Sequence, residues 1–181
     1  YNPLQILRVL EVKKFKLITQ KISDLDNQRQ APRNQEITIL REIDSKRAKL
    51  KHSLVTRFPS RESEILPTSF GNIMRAFEEY PFRMYGADSI VLWEKMLSVI
   101  PVEYQDLIEE SRTQIEFWIN LWCLSIILLF EYLAFAFHYK LFLFNFLWLL
   151  LSPLFFWFVY SRATSSTIIY GKFIKSSFVS Y

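Results

Sequence analysis

Residues 117–137 read FWINLWCLSIILLFEYLAFAF and residues 141–160 read LFLFNFLWLLLSPLFFWFVY. The first run has 21 residues and one charge, Glu131; the second has 20 and none. Each is long enough, as a helix rising ~1.5 Å per residue, to cross a ~30 Å hydrocarbon layer. Only His138, Tyr139 and Lys140 separate them, so two spans here form an antiparallel hairpin. The alternative, a buried helix pair of a soluble protein, fits this length and apolarity poorly.

Around these runs the composition changes sharply. The chain has 181 residues, 51% hydrophobic and 17% aromatic, with 22 Lys+Arg against 18 Asp+Glu. Residues 1–60 hold 13 basic and 6 acidic side chains, residues 61–116 hold 5 and 11, and residues 117–181 hold 4 and 1. The net charge of +4 is therefore a difference between a basic arm, an acidic middle and an apolar end. That segregation excludes a uniform soluble globule and a disordered chain. The expected fold class is all-α: a membrane protein with a two-helix transmembrane hairpin over 117–160 and a helical cytoplasmic domain. The basic amphipathic arm is 1–60, the acidic elbow 61–116 and a juxtamembrane tail 161–181.

Orientation follows the positive-inside rule. Arg112, Arg162, Lys172 and Lys175 flank the ends shared with the polar domain, whereas the hairpin tip has Lys140 alone. The polar domain is placed in the cytoplasm. Trp118, Trp122, Trp157, Tyr132 and Tyr139 suit interfacial anchoring, and Trp148 suits packing at mid-span. The first thirty residues lack the continuous apolar core of a signal peptide. The sequence opens on Tyr1, so further residues and spans upstream stay open.

The chemistry available is narrow. Cys123 is the only cysteine, His52 and His138 are the only histidines, and there are three glycines. An intrachain disulfide is excluded, and thiolate clusters, Gly-rich phosphate loops and nucleophile–histidine pairs find no signature. No cofactor, metal or catalytic residue is read from the chain. The polar intramembrane candidates are Asn120, Glu131 and Asn145. Glu131 reads either as a carboxyl reaching the headgroups, paired with His138 or Lys140, or as a pore-lining or proton-linked group. Asn120 and Asn145 read as interhelical hydrogen-bond partners. Pro153 predicts a kink in the second run.

In the arm, Phe15, Ile18, Ile22 and Leu25 recur at helical spacing, as do Ile39, Ile43, Leu50 and Leu54. A polar stretch near 26–35 separates the two, so a helical hairpin or a coiled coil is expected. Lys13, Lys14, Lys16 and Lys21 make no dense patch with stacking aromatics, and nucleic acid is not an expected partner. An anionic leaflet is another surface that a basic helix suits. In the elbow, Thr68 or Ser69 caps a short helix running to about Glu79 and ended by Pro81. Gly86 marks a turn, Asp88 caps a second helix to about Val99, and Pro101 opens a third that runs from Val102 into the membrane. The juxtamembrane candidates Arg75, Glu79, Arg83 and Asp88 read either as a self-paired elbow or as an anion-holding pocket, with Arg75 and Glu79 paired at i,i+4.

The elements Leu66-Pro67-Thr68, Gly71-Asn72-Ile73, Arg75-Ala76-Phe77-Glu78, Tyr80-Pro81, Tyr85-Gly86-Ala87-Asp88 and Leu92-Trp93, with Tyr160, Ala163 and Tyr170-Gly171 downstream, resemble a widespread uncharacterised family of bacterial integral membrane proteins. The resemblance covers about residues 66–181. It implies a multi-span membrane protein and lends no activity. Taken together, the expected function is an oligomeric, non-catalytic channel or pore-like component gated by its helical domain. The competing expectation is a membrane anchor or scaffold recruiting a protein through the arm; a lipid-acting enzyme would rest on Glu131 alone. The expected partners are a lipid bilayer and further copies or a membrane complex.

Overall fold

The computed structural model describes residues 3–30, 37–86, 88–138 and 142–180; for 89–90, 142–150 and 180 it describes the backbone alone. All regular structure among the described residues is helical, in the order α1 (Pro3–Gln30), α2 (Ile37–Arg57), a short 3-10 turn (Glu62–Glu64), α3 (Ser69–Tyr85), α4 (Ser89–Leu97), α5 (Val102–His138) and α6 (Phe142–Ser180). The chain divides into two compact units, Tyr1–Val99 with Lys175–Tyr181, and Ile100–Ile174.

In the first unit, α1 and α2 form an antiparallel hairpin. Phe15 meets Phe58 edge-on at 5.7 Å between ring centres. Asp26 pairs with Arg47, and Arg29 pairs with Asp44 at 3.3 Å, in the same register. Ile22 and Ile43 are buried between the helices. Ile39, expected on the packed face, is instead exposed. The register explains this: Gln30, the last residue of α1, lies opposite Ile43, so α2 residues before Ile43 have no α1 side chain to pack on. The other end of α1 extends past α2. There Arg8 donates to the carbonyls of Ile65 (3.0 Å) and Ser63 (2.9 Å), fixing the 3-10 turn.

The structure extends α3 beyond the sequence expectation. Thr68 is the N-cap and accepts from Gly71 N at 3.1 Å, as the composition suggested. Pro81, however, lies inside the helix, which continues to Tyr85. A helix-interior proline forfeits one backbone bond and strains the preceding turn, about 3 kcal/mol in an exposed helix. Here the ring is fully buried, and the true stop is Gly86. Its φ of 66° provides the left-handed C-cap, with Gly86 N donating to Phe82 O. The α4 helix ends at Leu97, two residues early, in a turn closed by Val99 N to Met96 O at 2.9 Å. The last turns of α6 complete this unit: Phe178 is buried and lies 6.2 Å from the Trp93 ring.

In the second unit, α5 begins directly after Pro101, whose carbonyl accepts from Tyr104 and Gln105. It runs unbroken for 37 residues, about 55 Å at 1.5 Å per residue. Its mate α6 lies antiparallel. Tyr104 donates to Phe173 O at 3.0 Å, the Trp118 ring meets Phe158 and Arg162, and Trp122 meets Tyr160. The small residues Ala163, Ser166, Thr167 and Gly171 of α6 are buried at helical spacing, as are Ile108, Ser111 and Ile115 of α5, and the contacts of Tyr104 and Trp118 set the two groups at matching heights. Residues 161–181, expected as a tail, belong to α6 as far as Ser180.

Among the described residues one helix, α5, is long and apolar enough to cross a membrane. The second apolar run, 141–160, lies half outside the described side chains. Pro153 sits within α6, which remains helical through it.

Candidate functional site

The four elbow candidates converge. Arg75, Glu79, Arg83 and Asp88 all line one open groove of about 790 Å³, together with Ser60, Arg61, Glu64, Glu78 and Phe82. The spacing of α3 brings Arg75 to both Glu79 (3.4 Å) and Glu78 (3.9 Å). What the sequence concealed is the far side of the groove. Ser60 donates to Glu79 Oε2 from its backbone N–H (3.0 Å) and its hydroxyl (2.9 Å), and Glu64 presents a second carboxyl to the same site.

The two carboxyls titrate apart. The hydrogen bond to Glu79, then burial and the Glu79 charge, push Glu64 above the usual carboxylate range, against Arg61 and Arg75. At Glu79 burial acts to raise the value, but the bonds from Glu64 and Ser60 and the Arg75 charge prevail and hold it low. Glu79 is thereby the more acidic member and Glu64 the less acidic, and Glu79 Oε1, buried and without a hydrogen bond among the described residues, lies 3.4 Å from Arg75 Nε. With Arg75 and Arg61 already engaged by Glu79, Glu78 and Glu64, the groove is largely self-neutralised. This arrangement suits an ion-paired joint better than an anion pocket.

A second polar cluster lies at the N-terminus of α3. Glu11 is buried and accepts from Ser69 Oγ (3.0 Å), Asn72 Nδ2 (3.3 Å) and Lys14 Nζ (2.6 Å). Asn72 is fully buried; its side chain also accepts from Leu66 N (2.7 Å) and donates to Leu66 O (3.1 Å), substituting for a backbone partner. A carboxylate facing a helix N-terminus and three donors is well placed electrostatically. Neither residue was a sequence candidate, because 61 positions separate Glu11 from Asn72.

The intramembrane candidates divide. Asn120 and Glu131 are both exposed. They stand 11 residues apart, three helical turns, and so share one edge of α5. Asn120 lies on the side away from α6, not at the helix–helix seam where it was expected. The same edge carries Glu109, Thr113, Glu116, Leu124, Ile127, Ala134 and His138, at steps of three and four, all exposed. Arg112 flanks it, bonding Glu116 at 3.0 Å and lying 3.8 Å from Glu109. The large apolar residues beside the stripe, Phe117, Leu128, Phe130 and Phe135, are also more than half exposed. Glu131 further lines an apolar groove of about 1070 Å³ with Ser125, Tyr132, Ser152 and Phe155. Asn145, like Lys140, lies outside the described residues.

Among the described residues no group of three or more His, Cys, Asp or Glu is arranged to hold a metal ion. Comparison of the chain with family models, with curated proteins and with solved structures gives no match.

Proposed function

We infer that the chain is an integral membrane protein whose α5 and α6 cross the bilayer as a hairpin, and that it works as an oligomeric channel or pore-like component with its polar helices on the cytoplasmic side. The observation that carries this reading is the stripe along α5. An apolar span whose outward edge bears Asn120, Glu131 and His138 is poorly matched to lipid. A carboxyl at the bilayer centre costs about 2.5–3.5 kcal/mol on insertion scales, and less where Glu131 lies, about two turns from the end of the run. Turning that edge toward the axis of an oligomer removes Asn120 and Glu131 from lipid and sets them on the interior, alongside Leu124, Ile127 and Ala134. Further along the same edge, Glu109 and Glu116 would add negative charge where the helix leaves the membrane, favouring cations. Because α5 is one uninterrupted helix, a movement of its polar first half is transmitted to the span.

The test is conductance of purified protein in planar bilayers, with oligomers verified by native mass measurement. The expected result is a cation-selective current that Glu131→Gln reduces and Asn120→Leu alters. Absence of current at every pH, with intact oligomers present, overturns the reading.

A further inference from the structure

The first half of α1 is an anomaly for a polar domain. Ile6, Val9, Leu10 and Leu17 are 46–65% exposed, along one side of a helix whose opposite side packs against the 3-10 turn and α3 through Arg8 and Glu11. Large apolar side chains clustered in this way mark a contact surface. The charges that α1 itself presents around them, up to Lys21, are of one sign. Lys13 lies within the exposed face and Lys14, Lys16 and Lys21 flank it. Glu11, the one acidic residue before Asp24, points the other way into its buried bonds. Lys14 and Lys16 are paired with Glu11 and Glu62; Lys13 and Lys21 make no ion pair among the described residues.

We propose that this face of α1 is a docking surface for an anionic lipid bilayer, lying in the headgroup layer with its leucines inserted and its lysines reaching the phosphates. The chemistry of the face selects lipid over a protein partner. Protein interfaces are depleted of lysine at their centres, whereas an apolar stripe interleaved with lysines lets each ammonium extend to the phosphates while its methylene stem stays buried. The contact goes beyond the channel reading and does not depend on it. It would hold the arm on the membrane whether or not the spans conduct.

The test uses the full chain in nanodiscs, with Cys123→Ser removing the native thiol and an environment-sensitive fluorophore on Leu10→Cys. Discs of phosphatidylcholine alone are compared with discs containing phosphatidylglycerol, each with and without brominated acyl chains as quencher. The expected result is blue-shifted emission at Leu10, quenched by brominated lipid and strongest in the anionic discs, while a probe on Ala48→Cys of α2 reports water throughout. Lys13→Gln with Lys21→Gln should weaken the contact about 30-fold and return the Leu10 probe to water. A Leu10 probe that reports water in both lipids overturns the proposal. So does one that is blue-shifted but insensitive to brominated lipid, since that assigns the face to a second copy or another protein. Running the conductance assay on the same preparations separates this result from the fate of the channel reading.

Discussion

Replacing Asn72 by alanine tests whether a side chain absent from any simple sequence pattern holds the polar unit together. Asn72 is fully buried and makes three hydrogen bonds: from Leu66 N, to Leu66 O and to Glu11 Oε2. Two are to a backbone segment with no helical partners, and the third is to a buried carboxylate. A neutral bond contributes about 1 kcal/mol net and one to a charged group about 1.5–3 kcal/mol. Because Glu11 retains Ser69 and Lys14, the charged bond counts at the low end. The expected loss is then about 3–4 kcal/mol, more than two orders of magnitude in the opening equilibrium. Hydrogen–deuterium exchange of the full chain in detergent, read at the amides of residues 64–74, should show protection falling by that factor. Glu11→Gln, which keeps the shape and removes the charge, should lose less, and the double variant should cost less than the two singles combined. A fall in protection below about fivefold at Leu66 and its neighbours, roughly 1 kcal/mol, would refute the assignment of Asn72 as the tie between the turn and α3.

Three further outcomes follow from the same unit. Lys175 bonds Val55 O at 3.3 Å and sits 5.4 Å from the Tyr80 ring centre, and burial, aided by Arg83, lowers its pKa to about 8. The unfolded chain therefore binds more protons than the folded chain above about pH 8, and stability rises from there toward the ordinary lysine range. Thermal unfolding midpoints should climb by about 2–4 °C between pH 7.5 and 9.5, before the raised phenols of Tyr80 and Tyr170 reverse the slope, and Lys175→Met should flatten the rise. Glu64 favours its protonated form in the fold, so its contribution is present at acid pH and lost as pH rises through its raised value. Glu64→Gln should stabilise the unit at pH 7 by about 1 kcal/mol, as one net hydrogen bond, and give no gain at pH 4. At Gly71 a Cβ would stand 3.0 Å from Thr68 Oγ1 and 3.1 Å from Leu66 Cδ1; Gly71→Val should break the cap and cost about 1–3 kcal/mol in denaturant titrations.

Legibility varied by the range of the interaction. Helices α3 to α5 are readable at one or both ends because caps and breakers act within a turn: Thr68, Gly86 and Pro101 lie where their chemistry predicts. Pro81 misled, because whether a proline ends a helix depends on what its ring buries and on where a better stop lies. The pairing of Arg75 with Glu79 is likewise local. The remainder of that groove, Ser60 and Glu64, arrives from an irregular segment whose course no periodicity encodes. The stripe on α5 is an intermediate case. Its signal, the 11-residue interval from Asn120 to Glu131 with Glu109, Thr113, Glu116 and His138 in phase, is present in the sequence. It acquires meaning only once α6 is seen to occupy the opposite side.

By itself the sequence determined the helical class, the segregation of basic, acidic and apolar stretches, and an apolar helix long enough for a membrane. These follow from composition and from spacings shorter than two turns, where geometry is set by the backbone. Tertiary structure alone decided that Glu11 meets Asn72, that Glu64 meets Glu79, that small residues of α6 come level with Ser111, and which edges of α1 and α5 remain uncovered. Those facts depend on the mutual register of helices, and register is decided by the summed packing of many side chains distant in sequence, so no local pattern carries it.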